Sequence, residues 1–309
     1  MTDVVLVSGG AAVTPFTTPD VAADSGLAAG NSVTALRAHL LAQGVRVFTA
    51  PARIGAGTVT EDPGWQGFAG VPLVLPAELT INAVGTIDRA GEALAAFMDH
   101  LAERYDVSEA VLVGHSMGGL FSRAAIARLA SSPSVSIRGL VTLGTPWTGS
   151  LLGDYLTGAI TGADAHGDAF TSSVLTGSEK YASDNSQGAA DEVSVTYLGG
   201  PEGWNSRHAG QLDSIPVTVI AGDHFAAHDQ PTALWPHDGL VALRSASATD
   251  VPAAVLPTPQ RLVLPDVHSI FFADAAGLPW ERALTWDPDA LAAVAAAVAA
   301  SANREEGPR

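Results

Sequence analysis

The run Ala110-Val111-Leu112-Val113-Gly114-His115-Ser116-Met117-Gly118-Gly119-Leu120 decides how the rest of this chain is read. Ala110–Val113 is a short, continuous apolar stretch, as expected of a strand covered on both faces. From Met117 to Leu129 the pattern becomes helical. Between them stands Gly114-x-Ser116-x-Gly118, a strand-to-helix turn with a serine at its apex. A serine hydroxyl is a poor nucleophile at neutral pH, so it must be held exposed beside a base. A sharp turn does that, and the flanking glycines leave room where the helix packs close to neighbouring strands. The helix start also aims unpaired N–H groups at any oxygen that becomes negative beside the serine. The bland alternative, a glycine-rich turn with an idle serine, accounts less well for a pentapeptide bracketed by strand and amphipathic helix.

Working outward, similar short runs recur at Val4–Val7, Val45–Thr49, Leu140–Leu143, Val217–Ala221 and Arg261–Leu264. Helical patterns lie between them. Ser32–Gln43 closes on Gly44, and Thr86–Tyr105 carries Ile87, Ala90, Leu94, Phe97, Met98 and Leu101 at helical spacing. The last helix opens with Asp287 as N-cap and Pro288 at its first position. Strands alternating with helices predict a mostly parallel sheet with helices on both faces, in a single α/β domain over residues 1–309. Residues 150–213 break the alternation. They are rich in Gly, Ser, Thr, Ala and Asp, and so long a structureless loop does not suit a compact domain. An inserted cap of short helices is expected there. Its apolar residues Leu151, Leu152, Tyr155, Leu156 and Ile160 either face an acyl chain as a lid or pack on the sheet. A second irregular stretch, Ala50–Ile81, holds Trp65 and Phe68 among Gly and Pro.

Composition narrows the partners. The 309 residues carry a net charge of −17, which repels nucleic acid and anionic membranes alike. Neutral small molecules are unaffected by that field. There are no cysteines, so disulfides, thiol catalysis and zinc–thiolate sites are excluded together. Met1-Thr2-Asp3 lacks a basic leader and passes straight into the first strand, so a cytoplasmic location is expected unless a secretion signal was trimmed. The alanine-rich stretch Ala290–Ala300 is too short to span a bilayer.

Residues 111–149, from the glycine–serine turn to Leu143-Gly144-Thr145-Pro146-Trp147-Thr148-Gly149, resemble the central part of bacterial lipases and carboxylesterases of the α/β-hydrolase superfamily. In those proteins a G-H-S-M-G-G helix is followed by a strand ending in L-G-T-P. The resemblance extends over the first strand, residues 110–150 and residues 217–270. Residues 50–85 and the cap match no pattern of the family. The resemblance implies an α/β-hydrolase fold and hydrolysis of a carboxylic ester or lipid through an acyl-enzyme, with no cofactor.

Family order is nucleophile, acid, then histidine. His237-Asp238-Gly239-Leu240-Val241 is similar to the N-D-G-L-V run that carries the family acid, so Asp238 is the expected acid, with Asp223 and Asp229 as rivals. His268 stands where the last strand ends, as the family's base does. The resemblance further implies an oxyanion hole from the Met117 N–H and from Gly10, in Ser8-Gly9-Gly10-Ala11, with Ala11 as its alternative or as a substrate contact. Ser8 stands where the family has histidine. Trp147 stands where L-G-T-P is usually followed by histidine, and is expected to line the acyl pocket. Asp223-His224-x-x-x-His228-Asp229 has the spacing of a helical metal pair or of a calcium loop, but lacks a further ligand, so no metal is expected. The same triad would also serve thioester hydrolysis or acyl transfer, and a decayed site would leave a binding protein.

Overall fold

The computed structural model describes residues 2–12, 33–60, 74–131, 134–184, 188–226 and 232–303. Trp65, Phe68, His228 and Asp229 lie outside them. All six apolar runs become strands of one parallel sheet: β1 (Asp3–Val7), β2 (Val47–Thr49), β3 (Glu109–His115), β4 (Ser136–Leu143), β5 (Val217–Gly222) and β6 (Gln260–Leu264). Their order is β6-β5-β4-β3-β1-β2. Val4 is in register with Val47 on one side and Val111 on the other. β2 is shorter than Val45–Thr49 because the Val45 N–H is taken by Leu40 O, 3.1 Å away, in the turn that ends the preceding helix.

Two helical layers bury the sheet. Along the chain the first helices are α1 (Thr34–Ala42), α2 (Ile87–Tyr105) and α3 (Met117–Leu129). α2 and α3 cover one face, where Leu94, Phe97, Leu101, Leu120 and Phe121 meet Val5, Val7 and Leu112. Each such side chain contributes about 1.5–3 kcal/mol by leaving water. α1 covers the opposite face with a long C-terminal helix, through Leu36, Leu40, Val294 and Val298.

Between β4 and β5 the chain forms α4 (Leu151–Leu156), α5 (Ala169–Asp184), α6 (Ala189–Glu192), α7 (Val195–Leu198) and α8 (Trp204–Arg207). Then come α9 (Leu243–Ala246), α10 (Ile270–Ala276) and α11 (Pro288–Ala302). Local chemistry sets the ends of several helices. Ser150 caps α4 by accepting from Gly153 N at 3.1 Å, and Asp287 caps α11 by accepting from Asp289 N and Ala290 N, both at 2.8 Å. The apolar residues of α4 and the turn after it divide between two roles. Leu151 and Ile160 are buried with Leu175, Leu234 and Trp235 in a small cluster of their own, whereas Leu152 lines a cavity. Among the described residues no helix is long and apolar enough to cross a membrane.

The strand order reverses direction between β1 and β3, since β2 lies outside β1 while β4–β6 run the other way. Ligands in open α/β sheets bind at the carboxyl ends of strands at such a switch. The loop Ser8–Ala11 leaves β1 there, and Ser116 leaves β3 beside it.

Candidate active site

The turn after β3 is held in a conformation that side chains avoid. Ser116 has φ 55° and ψ −131°, a strained combination that only its surroundings can enforce. Its N–H donates to Leu143 O at 2.8 Å, and its carbonyl accepts from Thr145 Oγ1 at 2.8 Å. The Thr-Pro run after β4 thus clamps the turn from the next strand. Close packing explains the second glycine of the motif: a Cβ on Gly118 would overlap the carbonyl oxygen of Val7. α3 can therefore start directly against β1, with the Met117 N–H among the first helical donors, which have no helical acceptor.

Asp238 and His268 meet at the ends of the neighbouring strands. Asp238 is fully buried and accepts three hydrogen bonds: Leu240 N at 2.9 Å and Val241 N at 2.7 Å on Oδ1, and His268 Nδ1 at 2.7 Å on Oδ2. The backbone binds them as well, His268 N donating to Asp238 O at 2.8 Å. A donor proton on Nδ1 leaves Nε2 as the acceptor of the neutral imidazole. That Nε2 is buried and has no hydrogen-bond partner among the described residues, Ser116 Oγ included. An unpaired buried acceptor costs about 1–3 kcal/mol, so this atom calls for an explanation. Asp223 does not occupy this position; its N–H donates to Leu264 O at 3.0 Å, at the end of β6.

The dyad sits against the serine turn through two contacts. His115, immediately before Ser116, donates from Nε2 to His268 O at 2.8 Å, and the two rings lie 4.8 Å apart. A Cβ built on Gly144, next to the Leu143 carbonyl that holds Ser116, would stand 2.9 Å from His268 Nδ1 and 3.1 Å from Asp238 Oδ2. Burial, reinforced by His268 alongside, pushes the His115 pKa down to about 3, so His115 is a neutral tether. His237 is likewise driven down to about 4 by burial. Its Nδ1 accepts from Gly239 N at 3.0 Å while Nε2 faces Thr171 Oγ1 at 3.1 Å, and this pins the Asp238 loop to α5.

A cavity of about 320 Å³ opens over Ser116. Gly10 and Met117 line it from the sheet side, Leu152 from α4, Val174, Ser178 and Tyr181 from α5, Leu240 from the loop after β5, and Phe272 from α10. Among the described residues, no charged side chain lines it. Gly10 therefore stands beside Met117 as the resemblance implied. Ala11 does not share that place: its N–H is committed to Ala83 O at 3.0 Å, and it is not part of the lining. The expectation for Trp147 is also corrected. It is fully buried below the site, with Nε1 toward Thr142 Oγ1 at 3.3 Å and the Arg123 guanidinium 4.6 Å from its ring. Trp204 of α8 flanks the other side of Arg123 at 4.6 Å, so the tryptophan serves a buried cation–π stack. Ser8 Oγ is buried without a partner.

Of the suggested metal pair, His224 is half-buried with Nδ1 3.4 Å from Pro265 O, and its companion His228 lies outside the described residues. Among the described residues no group of three or more His, Asp or Glu could hold a metal ion.

A family model described as "Alpha/beta hydrolase of unknown function (DUF915)" matches residues 72–206, the segment from before α2 to α8. Over that segment, which holds β3, the Ser116 turn, α3 and β4, the chain is similar to an α/β-hydrolase family. Among solved structures it is similar to the Bacillus licheniformis lipase BlEst2 in mature form, at 15% identity and a TM-score of 0.47, over 84% of each chain. It covers only 44% of the propeptide form of that lipase. It is also similar to naproxen esterase from Bacillus subtilis, at 13% identity and a TM-score of 0.46, over 98% of this chain and 84% of that one. Comparison with curated proteins gives no match.

Proposed function

We propose that this protein is a serine esterase that cleaves uncharged carboxylic esters through Ser116, His268 and Asp238. The observation that carries the reading is the His268 Nδ1–Asp238 Oδ2 contact of 2.7 Å, which leaves a bare Nε2 beside a strained serine turn. On substrate binding Nε2 takes the Ser116 proton as Oγ attacks the ester carbonyl. Asp238 holds the imidazole in the required tautomer and stabilises the imidazolium. The Met117 and Gly10 N–H groups receive the developing oxyanion, each such donor being worth about 3–4 kcal/mol in other enzymes. His268 then returns the proton to the leaving alcohol. Water deprotonated by the same nitrogen releases the acid from the acyl-serine.

Cavity chemistry supports an ester with an apolar, neutral body. Its volume of about 320 Å³ falls at the small end of the range of roughly 300–1,000 Å³ for ligand pockets. A carboxylate or phosphate on the substrate would find no cation there and would also meet the −17 net charge of the chain. Hydrolysis of p-nitrophenyl esters from acetyl to palmitoyl tests the reading. Activity that disappears in Ser116→Ala is expected. Equal activity in both proteins would refute it, and turnover of thioesters alone would move the assignment to that neighbouring chemistry.

A further inference from the structure

Five glycines lie inside described α-helices, and four have a packing reason to be glycine. A Cβ on Gly91 of α2 would collide with Ala124 of α3, those on Gly118 and Gly119 with the β1 end and Thr145, and that on Gly153 with Val193. Gly177 differs. It stands in the middle of α5, has no positive φ, and a Cβ built on it meets nothing within 4 Å. Glycine inside a helix is unfavourable relative to alanine because its unfolded backbone has more freedom to lose. A residue that opposes its own secondary structure, with no neighbour to excuse it, points to function.

The space beside Gly177 is the cavity over Ser116. Val174, Gly177, Ser178 and Tyr181 fall at i, i+3, i+4 and i+7 and form the α5 wall of that cavity. Gly177 is the exposed member, while Ser178 is buried and Val174 and Tyr181 are half-buried. A Cβ at 177 would meet no described atom within 4 Å, on the face of α5 that lines the cavity. We propose that Gly177 is the size-determining residue of the site: its missing side chain admits the long apolar substituent of a neutral ester past α5. This rests on the reading of Ser116 as the nucleophile. The substrate class becomes esters with an extended apolar arm rather than acetyl-sized ones.

The test compares wild type, Gly177→Ala and Gly177→Leu on two ester pairs. One pair is p-nitrophenyl octanoate against acetate, the other octyl acetate against methyl acetate. In Gly177→Leu the long-to-short ratio of kcat/KM should fall roughly tenfold or more in one pair, since excluding even one methylene from an apolar pocket is felt on that scale. Gly177→Ala should move it less, and the short esters should keep their rates. Both replacements are better helix formers at an exposed position, so melting temperatures at or above wild type are expected and misfolding does not confuse the result. Ratios unchanged in both pairs would overturn the proposal. Binding of 2-decanone, a neutral uncleaved ketone, to Ser116→Ala and to Ser116→Ala/Gly177→Leu separates the two claims. Weaker binding in the double variant supports the size role even if Ser116 proves not to be the nucleophile, and equal binding refutes it.

Discussion

The turn after β3 and the helices between β4 and β5 face one cavity but are held there in different ways. The turn is fastened at every atom that matters: Ser116 N to Leu143, Ser116 O to Thr145, His115 to His268, and Gly118 beneath Val7. All of this is buried among the strands of the main core. The cap-side wall is lighter. α5 is sixteen residues long yet buries only Thr171, Leu175 and Ser178, and its anchor is a small cluster separate from the sheet core. The contrast teaches a division of labour. Reactive groups need geometry within fractions of an ångström, which packed strands supply. A wall this lightly anchored can change side chains at little cost to the fold.

That division can be attacked residue by residue. The largest effect is expected at the turn: Ser116→Ala should lower kcat roughly 10⁴-fold to 10⁶-fold, as loss of a triad serine does elsewhere, with melting temperature near wild type. Steady-state kinetics beside a thermal melt read both. Asp238→Asn preserves shape but removes the negative acceptor from Nδ1, and about 10⁴-fold in kcat is the expected loss. A mild loss there would return the acid role to Asp223 or Asp229. His115→Leu removes only the donor that supports His268 O. It should lower kcat about tenfold with KM little altered, in line with about 1–1.5 kcal/mol for one buried hydrogen bond. Because its pKa lies near 3, His115 should leave no inflection in a pH–rate profile between pH 5 and 9.

The smallest effect concerns stability. Asp266 lies two residues before His268 and is buried, and burial, with Asp287 nearby, pushes its carboxyl up to about 7 against the opposing pull of Arg282. The folded state then holds a proton that the unfolded chain releases from about pH 4 upward, so stability falls as pH rises from there through about 7. Urea unfolding at pH 5 and pH 8 should show that fall in wild type and a shallower one in Asp266→Asn. Equal slopes would mean that Asp266 is ionised throughout.

Legibility in the sequence follows the same divide. Six strands could be read because continuous apolar runs bounded by glycine and proline have few other uses, and α3 was readable to its last residue. Ser116, Asp238 and His268 could be singled out together because each stands in a local run that resembles a known family's. The wall of the cavity could not. Val174, Gly177, Ser178 and Tyr181 share a helical face, but nothing in their spacing says that the face looks onto a serine rather than into solvent. Trp147 and Ala11 misled for a related reason. Whether a tryptophan lines a pocket or stacks on Arg123, and whether an N–H is free or held by Ala83, depends on partners far away in sequence. His115 was legible as part of the motif but not as a tether, since its acceptor is 153 residues distant.

The most direct test of the central claim is intact-mass measurement after treatment with a serine-directed fluorophosphonate, followed by peptide mapping. The account predicts a single phosphonyl adduct on Ser116 in wild type and none in Ser116→Ala. An adduct that persists in the variant, or forms on another serine at the same rate, would contradict it.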